Sequence, residues 1–568
     1  MSSVPSYSIS ISGDSNDSDL VLGSASGSIT ENSASANLTP LTNKVTTLET
    51  KTATLETKTA TLEASMNAVA TNTRVTTLER DVNNLENSYP INFFLGLYET
   101  GPYAANGYEY MAGLSDYLTL LNQKGGINDL EINLLPEETR YSKTILFNRL
   151  KQKTYLNGGL TAYSPLSTDG AFDTYDYSAD KKLPIINLGY GDNQTICGEL
   201  FPYAFNAAPT YHDEMATFLE AVKFKHTTLE DKKIVYLYHD SQYGTNPLPT
   251  LKNFSKNWTQ YQLDASDDLI LDGVSGPING VGGDPSGCVS YFIPVRHPGT
   301  TLQQDTQFAH ITTDLSDLDA LFTLSWGPMI AGTEKYLLDN PYLIPKTYYG
   351  WWSYNPMYRK TDPDISDSTL SDFSGLNVLS FNSMGFQSTD ISMTTTELNA
   401  IGVTTATNAD ISGAIEILEE IRDQLYSQYD LTNYTYGYFK NEEGFSDETI
   451  WRANAGNLYM RGILNGFILK KALEKAHLMI GKTTPSGRPK HITPVDLKNA
   501  LDNLTITQAE IDAEGMTLNC QPITMTKTDH KGANGINVYT ADSAGVFELT
   551  HPFLKYSDES VINGLILN

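Results

Sequence analysis

From Pro90 onward the chain alternates short apolar runs with helix-forming segments, and this alternation restricts the fold more than anything else in its 568 residues. Ile91-Asn-Phe-Phe-Leu-Gly-Leu-Tyr98 reads as a buried strand. Met111, Leu114, Leu118 and Leu121 then recur at helical spacing, and Gly125-Gly126 closes that helix. A strand near Glu131–Leu135, a helix near Lys143–Lys151, a strand ending near Ser164 and another over Leu183–Leu188 follow. The pattern restarts after His212, with a helix over Glu214–Val222, a strand over Lys233–His239 and strands near Cys288–Val295, Ala320–Ser325 and Lys346–Trp351. Strands alternating with helices imply parallel sheets covered by helices, and the restart implies a second lobe. Helices return over Ala414–Tyr426 and Asn457–Leu478, and Thr493-Pro494-Val495-Asp496 carries the N-cap, proline and acid of a helix start.

The region before Pro90 has a different grammar. Residues 1–40 are rich in Ser, Asn, Thr and Gly and lack the apolar content to bury a core. Thr-Leu-Glu-Thr-Lys-Thr-Ala then occurs at 47–53 and again at 54–60. Leu41, Leu48, Leu55, Leu62 and Val69 recur every seven residues, with Val45 and Met66 on the second seam position and Thr52 and Thr59 between them. A period of seven predicts a left-handed coiled coil over 41–89, with a change of phase near Thr71–Thr73. The first basic residue is Lys44, and no charged segment, apolar core or small-residue cleavage site of a secretory leader precedes it. The expectation is a route to the site of action other than leader-directed export.

Composition removes several function classes. With 67 acidic against 38 basic side chains, the formal charge of −29 is opposite in sign to the footprint a nucleic-acid binder needs. Cys197, Cys288 and Cys520 form no Cys-x-x-Cys pair, so neither a zinc knuckle nor a redox motif is expected. No apolar run has the length of a membrane span. Neither a Gly-x-Ser-x-Gly elbow nor a His-Glu-x-x-His helix occurs, and Asn279–Asp284 lacks the Gly-Lys-Ser/Thr of a phosphate loop. Tyr211-His-Asp-Glu214 concentrates polar groups, but adjacent residues at a helix start do not face one point, so a metal site is not expected there. The reading is a protein without catalytic residues, metal or cofactor.

Several stretches together resemble the branched-chain amino-acid, amide and urea branch of the type I periplasmic substrate-binding proteins. Gly96–Gly107 is similar to that family's first strand and loop, and Asn122-Gln-Lys-Gly-Gly-Ile-Asn128 to the segment before its second strand. Pro165–Thr168, Leu183–Gly191, Tyr238–Gly244, Ser325–Gly327 and Tyr349–Ser353 resemble later strand ends and ligand loops. Thr493–Gly515 and Asp529–Gly532 resemble its C-terminal part, and Asp264–Gly287 departs from it as an inserted surface loop.

The resemblance implies an α/β, two-lobed type I fold, preceded here by the coiled coil and polar arm. It divides the chain into 1–40 (arm), 41–89 (stalk), 91–209 with 375–515 (first lobe), and 210–374 with 516–568 (second lobe). It places Tyr98, Thr100, Tyr103, Ser167, Thr168, Tyr190, Tyr211, Tyr243, Trp326 and Trp351 at the crevice between lobes. Hydroxyls and helix-end amides there suit a carboxylate or carbonyl, and the aromatic rings supply walls. Two uses follow. One is a virion or surface fibre, homo-oligomeric through its coiled coil with a trimer favoured, docked by its arm and displaying the domain to a receptor or solute. The other is a periplasmic receptor of an ABC importer for an amino acid, amide or urea-like solute. A structural surface component is a third.

Overall fold

The computed structural model describes residues 44–62, 90–155, 159–187, 196–266, 268–275, 284, 286–296, 301–355, 358, 365, 367–382, 384, 413–426, 456–484, 487, 489–517, 519–533 and 535–556. The arm, residues 63–89 of the expected stalk, and Tyr190 lie outside them. By contacts the chain separates into two units, Met1–Val82 and Asn83–Asn568. In the first unit residues 44–62 form one helix, α1, exposed along its whole length.

The second unit holds two main sheets. The first has five parallel strands in the order β2-β1-β3-β4-β5. These are β1 (Ile91–Leu97), β2 (Ile132–Glu138), β3 (Ala162–Pro165), β4 (Ile185–Asn187) and β5 (Ala204–Asn206). Helices α2 (Ala104–Gln123), α3 (Lys143–Thr154) and α4 (Thr168–Lys181) connect them. Strand β1 is buried throughout and apolar but for Asn92, because both its faces are covered. Phe93, Leu95 and Leu97 enter the large core, while Phe94 enters a smaller one with Leu146, Leu150 and Tyr175.

The second sheet has nine strands in the order β16-β15-β12-β11-β10-β6-β9-β7-β8. Helix α5 (Tyr211–His226) leads into β6 (Lys233–His239), followed by the short α6 (Gln242–Thr245), α7 (Leu248–Asn253), β7 (Ser255–Leu263), β8 (Leu269–Ser275) and β9 (Cys288–Val295). Then come α8 (Thr301–Asp314), β10 (Ala320–Leu324), α9 (Pro328–Asp339), β11 (Thr347–Tyr349) and β12 (Asn377–Ser380). Val235 and Leu237 of β6 bury against α8 and α9 through Phe308, Ile311 and Ile330. Ile234 and Tyr236, on the opposite face, join the core that contains Phe218 of α5.

Further α-helices among the described residues are α10 (Gly413–Ile421), α11 (Asn457–Ile480), α12 (Pro494–Leu501) and α13 (Gln508–Ala513). Strands β13 (Thr505–Ile506) and β14 (Ile523–Thr524) form a separate small sheet before β15 (Ile536–Ala541) and β16 (Phe547–Leu554) close the large one. Helix α11 lies on α2 through paired glycines. A Cβ on Gly113 would stand 1.9 Å from the Tyr459 carbonyl oxygen, and one on Gly462 2.1 Å from that of Tyr110. Tyr459 then donates to Asp116 across the contact, at 2.6 Å.

Two expectations change. Asp264–Gly287 is not simply a loop. Its first half contains β8, an edge strand paired antiparallel with β7 from Leu263↔Leu269 to Thr259↔Ser275. Its apolar triplet, Leu269-Ile270-Leu271, is short and is masked in the sequence by flanking Asp and Gly. The second concerns the lobe boundaries. Residues 377–380 pair with β11 and β15 and so lie in the larger sheet, and β14 pairs with β13. The sheets therefore put the chain's crossings after Asn206, after Ser380 and between Thr524 and Ile536.

Candidate functional site

Parallel strands end in loops at one edge, and the ends of both sheets face each other here. From the first sheet, Tyr98 follows β1 directly, Tyr103 stands at the N-cap of α2, and Ser167 caps α4 by accepting from the Gly170 N–H at 3.1 Å. From the second, Tyr243 lies on α6 just after β6, Trp326 follows β10, and Trp351 follows β11. Tyr211 opens α5, the helix that carries the chain from one sheet to the other. A capping box fixes that helix start: Thr210 Oγ1 accepts from the Asp213 N–H, and the Asp213 carboxylate accepts from the Thr210 N–H at 2.7 Å.

These residues form one continuous set of rings. Tyr98 meets Tyr103 and Trp326 with centroids 6.3 and 6.0 Å apart, and Tyr103 stacks with Trp326 at 6.0 Å and 23°. Trp326 reaches Tyr243 at 5.9 Å, Tyr243 reaches Tyr211 at 5.3 Å, and Tyr211 reaches Trp351 at 6.0 Å. The Tyr211 hydroxyl is 3.1 Å from Thr168 Oγ1, which ties the first sheet's loop into the set. The lobes touch at Gly327, whose φ is +61°. A Cβ there would lie 2.4 Å from the Tyr103 ring, so only glycine lets the two loops meet. Of the expected residues, Thr100 alone among those described is exposed, at the rim, while Ser167 serves as a helix cap.

The structure adds ionisable groups beside the rings. Glu214, one turn after Tyr211, is fully buried and accepts from the Trp351 N–H through Oε1 at 2.6 Å. Burial pushes its pKa up to about 8, against smaller downward contributions from the Trp351 N–H and Arg461. Arg461 of α11 is also fully buried. It donates to the Trp351 carbonyl at 3.1 Å and to Asn382 Oδ1 at 3.3 Å, and its guanidinium lies 4.0 Å over the Trp352 ring. Glu109 is raised to about 7 by burial, offset in part by backbone N–H groups of α11 and by Arg461. Trp351 is thus held through its N–H by Glu214 and through its carbonyl by Arg461.

His212, Asp213 and Glu214 take separate partners. His212 bonds Thr250, Asp213 pairs with Lys531 at 2.8 Å, and Glu214 holds Trp351. Three buried polar atoms beside the rings have no hydrogen-bond partner among the described residues: Nε1 of Trp326, Nε1 of Trp351 and Oε2 of Glu214. Sequence reasoning missed Arg461, which interrupts an apolar stripe, and took Glu214 only as part of a poor metal cluster. Its spacing of three from Tyr211 was the usable signal.

A family model described as periplasmic binding protein matches residues 95–261. The fold is that of the type I periplasmic binding proteins. The crystal structure of an ABC transporter permease from the Pseudomonas fluorescens group superposes with a TM-score of 0.61 at 21% identity, over 84% of this chain and 95% of the other. A fatty acid ABC transporter substrate-binding protein from Thermomonospora curvata gives 0.55 at 15% identity, over 85% and 95%. A branched-chain amino acid ABC transporter from Thermus thermophilus with bound valine gives 0.54 at 15%, over 84% and 99%. No curated protein matches by sequence. The periplasmic-binding fold thus spans both sheets, and the aromatic set lies where their strand ends converge. No helix among the described residues is long and apolar enough to cross a membrane.

Proposed function

We propose that this chain is a non-enzymatic solute receptor of the ABC-importer kind, working in the periplasm or extracellular space. It closes its two lobes over one small polar solute such as an amino acid, amide or urea-like compound. The observation that supports this is the set of three orphaned polar atoms, two indole N–H donors and one carboxyl oxygen, inside a ring-lined interface at the strand ends. Unpartnered buried polar groups are costly; with the Glu214 carboxyl protonated below about pH 8, all three atoms can donate, and a solute carrying acceptor oxygens satisfies them. Tyr98, Tyr103, Tyr211, Tyr243, Trp326 and Trp351 form the walls, and Thr168 with Ser167 adds hydroxyls at a helix start. Neither a catalytic residue nor a metal or cofactor is invoked.

Titration calorimetry of the full chain with amino acids, amides and urea tests the reading. Binding of one class, lost in Trp326→Ala, is expected. An absence of heat with every class, alongside a cooperative thermal transition, would refute it.

A second reading is favoured by α1. Val45, Leu48, Leu55 and Leu62 are 48%, 61%, 63% and 62% exposed along one seam. Under this reading the domain is displayed on a homo-oligomeric stalk, three-stranded by expectation, of a surface or virion fibre docked through residues 1–40. A monomeric mass in light scattering would exclude it.

A further inference from the structure

The charges of α1 lie on its seam edges and nowhere else. With Val45, Thr52 and Thr59 at heptad position a and Leu48, Leu55 and Leu62 at d, Lys44, Lys51 and Lys58 occupy g, and Glu49 and Glu56 occupy e. These are all the charged residues of 44–62. The outward positions b, c and f hold only Thr and Ala. The outer threonines satisfy themselves: Thr50, Thr54, Thr57 and Thr61 each donate to the carbonyl four residues back, at 2.8 Å.

A lone solvated helix gains from opposite charges three or four residues apart. Here opposite charges stand two apart (Glu49 and Lys51, Glu56 and Lys58) or five apart (Lys44 and Glu49, Lys51 and Glu56), so they cannot meet on one helix. Five is the separation that brings g of one helix beside e of the next heptad on a parallel neighbour. An antiparallel neighbour sets g against g and e against e, lysine on lysine and glutamate on glutamate. Two- and three-stranded parallel coils share the g–e contact, so the pairing holds for either.

We propose that α1 is a self-recognition surface. It pairs with α1 of a further copy of this chain, parallel and in register, with Lys44 and Lys51 of one copy against Glu49 and Glu56 of the other. The charge pattern favours this over the antiparallel arrangement, which sets like charges side by side. This builds on the stalk reading and is independent of solute binding.

The test uses the full chain. Two charge variants are made, K44E/K51E/K58E and E49K/E56K, and their masses are followed by light scattering against concentration. Each variant alone is expected to associate about tenfold or more weakly than wild type at low salt, and high salt should reduce the difference. An equimolar mixture should re-form a mixed oligomer. Leu48→Cys in a Cys197→Ser background should cross-link to itself on oxidation, since a d residue faces its own copy only in a parallel, registered coil. The thermal transition of the binding domain should be unchanged in every variant, which separates lost pairing from misfolding. A wild-type oligomer indifferent to both reversals, or a Leu48→Cys variant that forms no cross-link, overturns the proposal and leaves an oligomer of another kind. A monomeric wild type overturns both the proposal and the stalk reading. Solute calorimetry is affected by neither result.

Discussion

Glu214 shows how burial converts an ordinary side chain into a pH-sensitive one. Its carboxyl titrates at about 8 in the folded chain against an ordinary 4.5, so the folded state binds the proton more tightly than the unfolded state. The resulting stability is complete below 4.5 and is lost as pH rises through about 8. Glu109 acts in the same direction, with its loss ending near 7. The melting temperature should therefore fall between these limits, and Glu214→Gln, which keeps the carbonyl acceptor for the Trp351 N–H, should flatten the fall. A parallel pH profile for wild type and variant in differential scanning calorimetry would count against this. Arg461→Met removes the donor to the Trp351 carbonyl and the cation beside Glu214 and Glu109. A loss of about 1.5–3 kcal/mol in urea unfolding is expected from the lost charged hydrogen bonds, with the Glu214 titration moving further upward.

At the scale of elements, close helix contact and capping carry the argument. Gly113 and Gly462 let α2 and α11 touch backbone to backbone. Gly113→Val has no room to relax, because the obstacle is the Tyr459 carbonyl and not a side-chain tip. A loss of about 3 kcal/mol or more is expected, read as a lower urea midpoint. Thr210→Ala removes half of the capping box on α5 and should cost about 1 kcal/mol, with a matching fall in the same measurement.

The same scale shows what was readable. The strand over Lys233–His239 is legible at its observed bounds because its apolar core, Ile234–Tyr238, is continuous and ends in a polar loop, and the strand near Cys288–Val295 is legible from its apolar run Tyr291-Phe292-Ile293. Strands β5, β7 and β12 were missed. Strands β5 and β12 are three and four residues long, too short for a period to register. Strand β7, Ser-Lys-Asn-Trp-Thr-Gln-Tyr-Gln-Leu, is half exposed and carries few apolar residues. What makes each a strand is its neighbour's backbone.

For the whole molecule, the meeting of the lobes is the decisive feature. Gly327 sits at a backbone angle that side chains avoid and directly against Tyr103. Gly327→Ala should hold the lobes apart, enlarge the radius of gyration in small-angle scattering and weaken solute binding. An unchanged radius with full affinity would show that this contact does not govern closure.

The sequence by itself determined the parallel α/β class, the two-lobed resemblance, most of the ring-bearing loop positions and the seven-residue seam of α1. Each is a local pattern: an apolar run, a period or a motif at a strand end. Only the tertiary structure decided that those rings form one connected set, that Glu214 and Arg461 clamp Trp351 from opposite sides, and that β12 belongs to the second sheet. Those facts depend on residues that are far apart in the chain and become neighbours only by packing. Sequence periodicity reports a residue's face on its own element, not what waits on the other side.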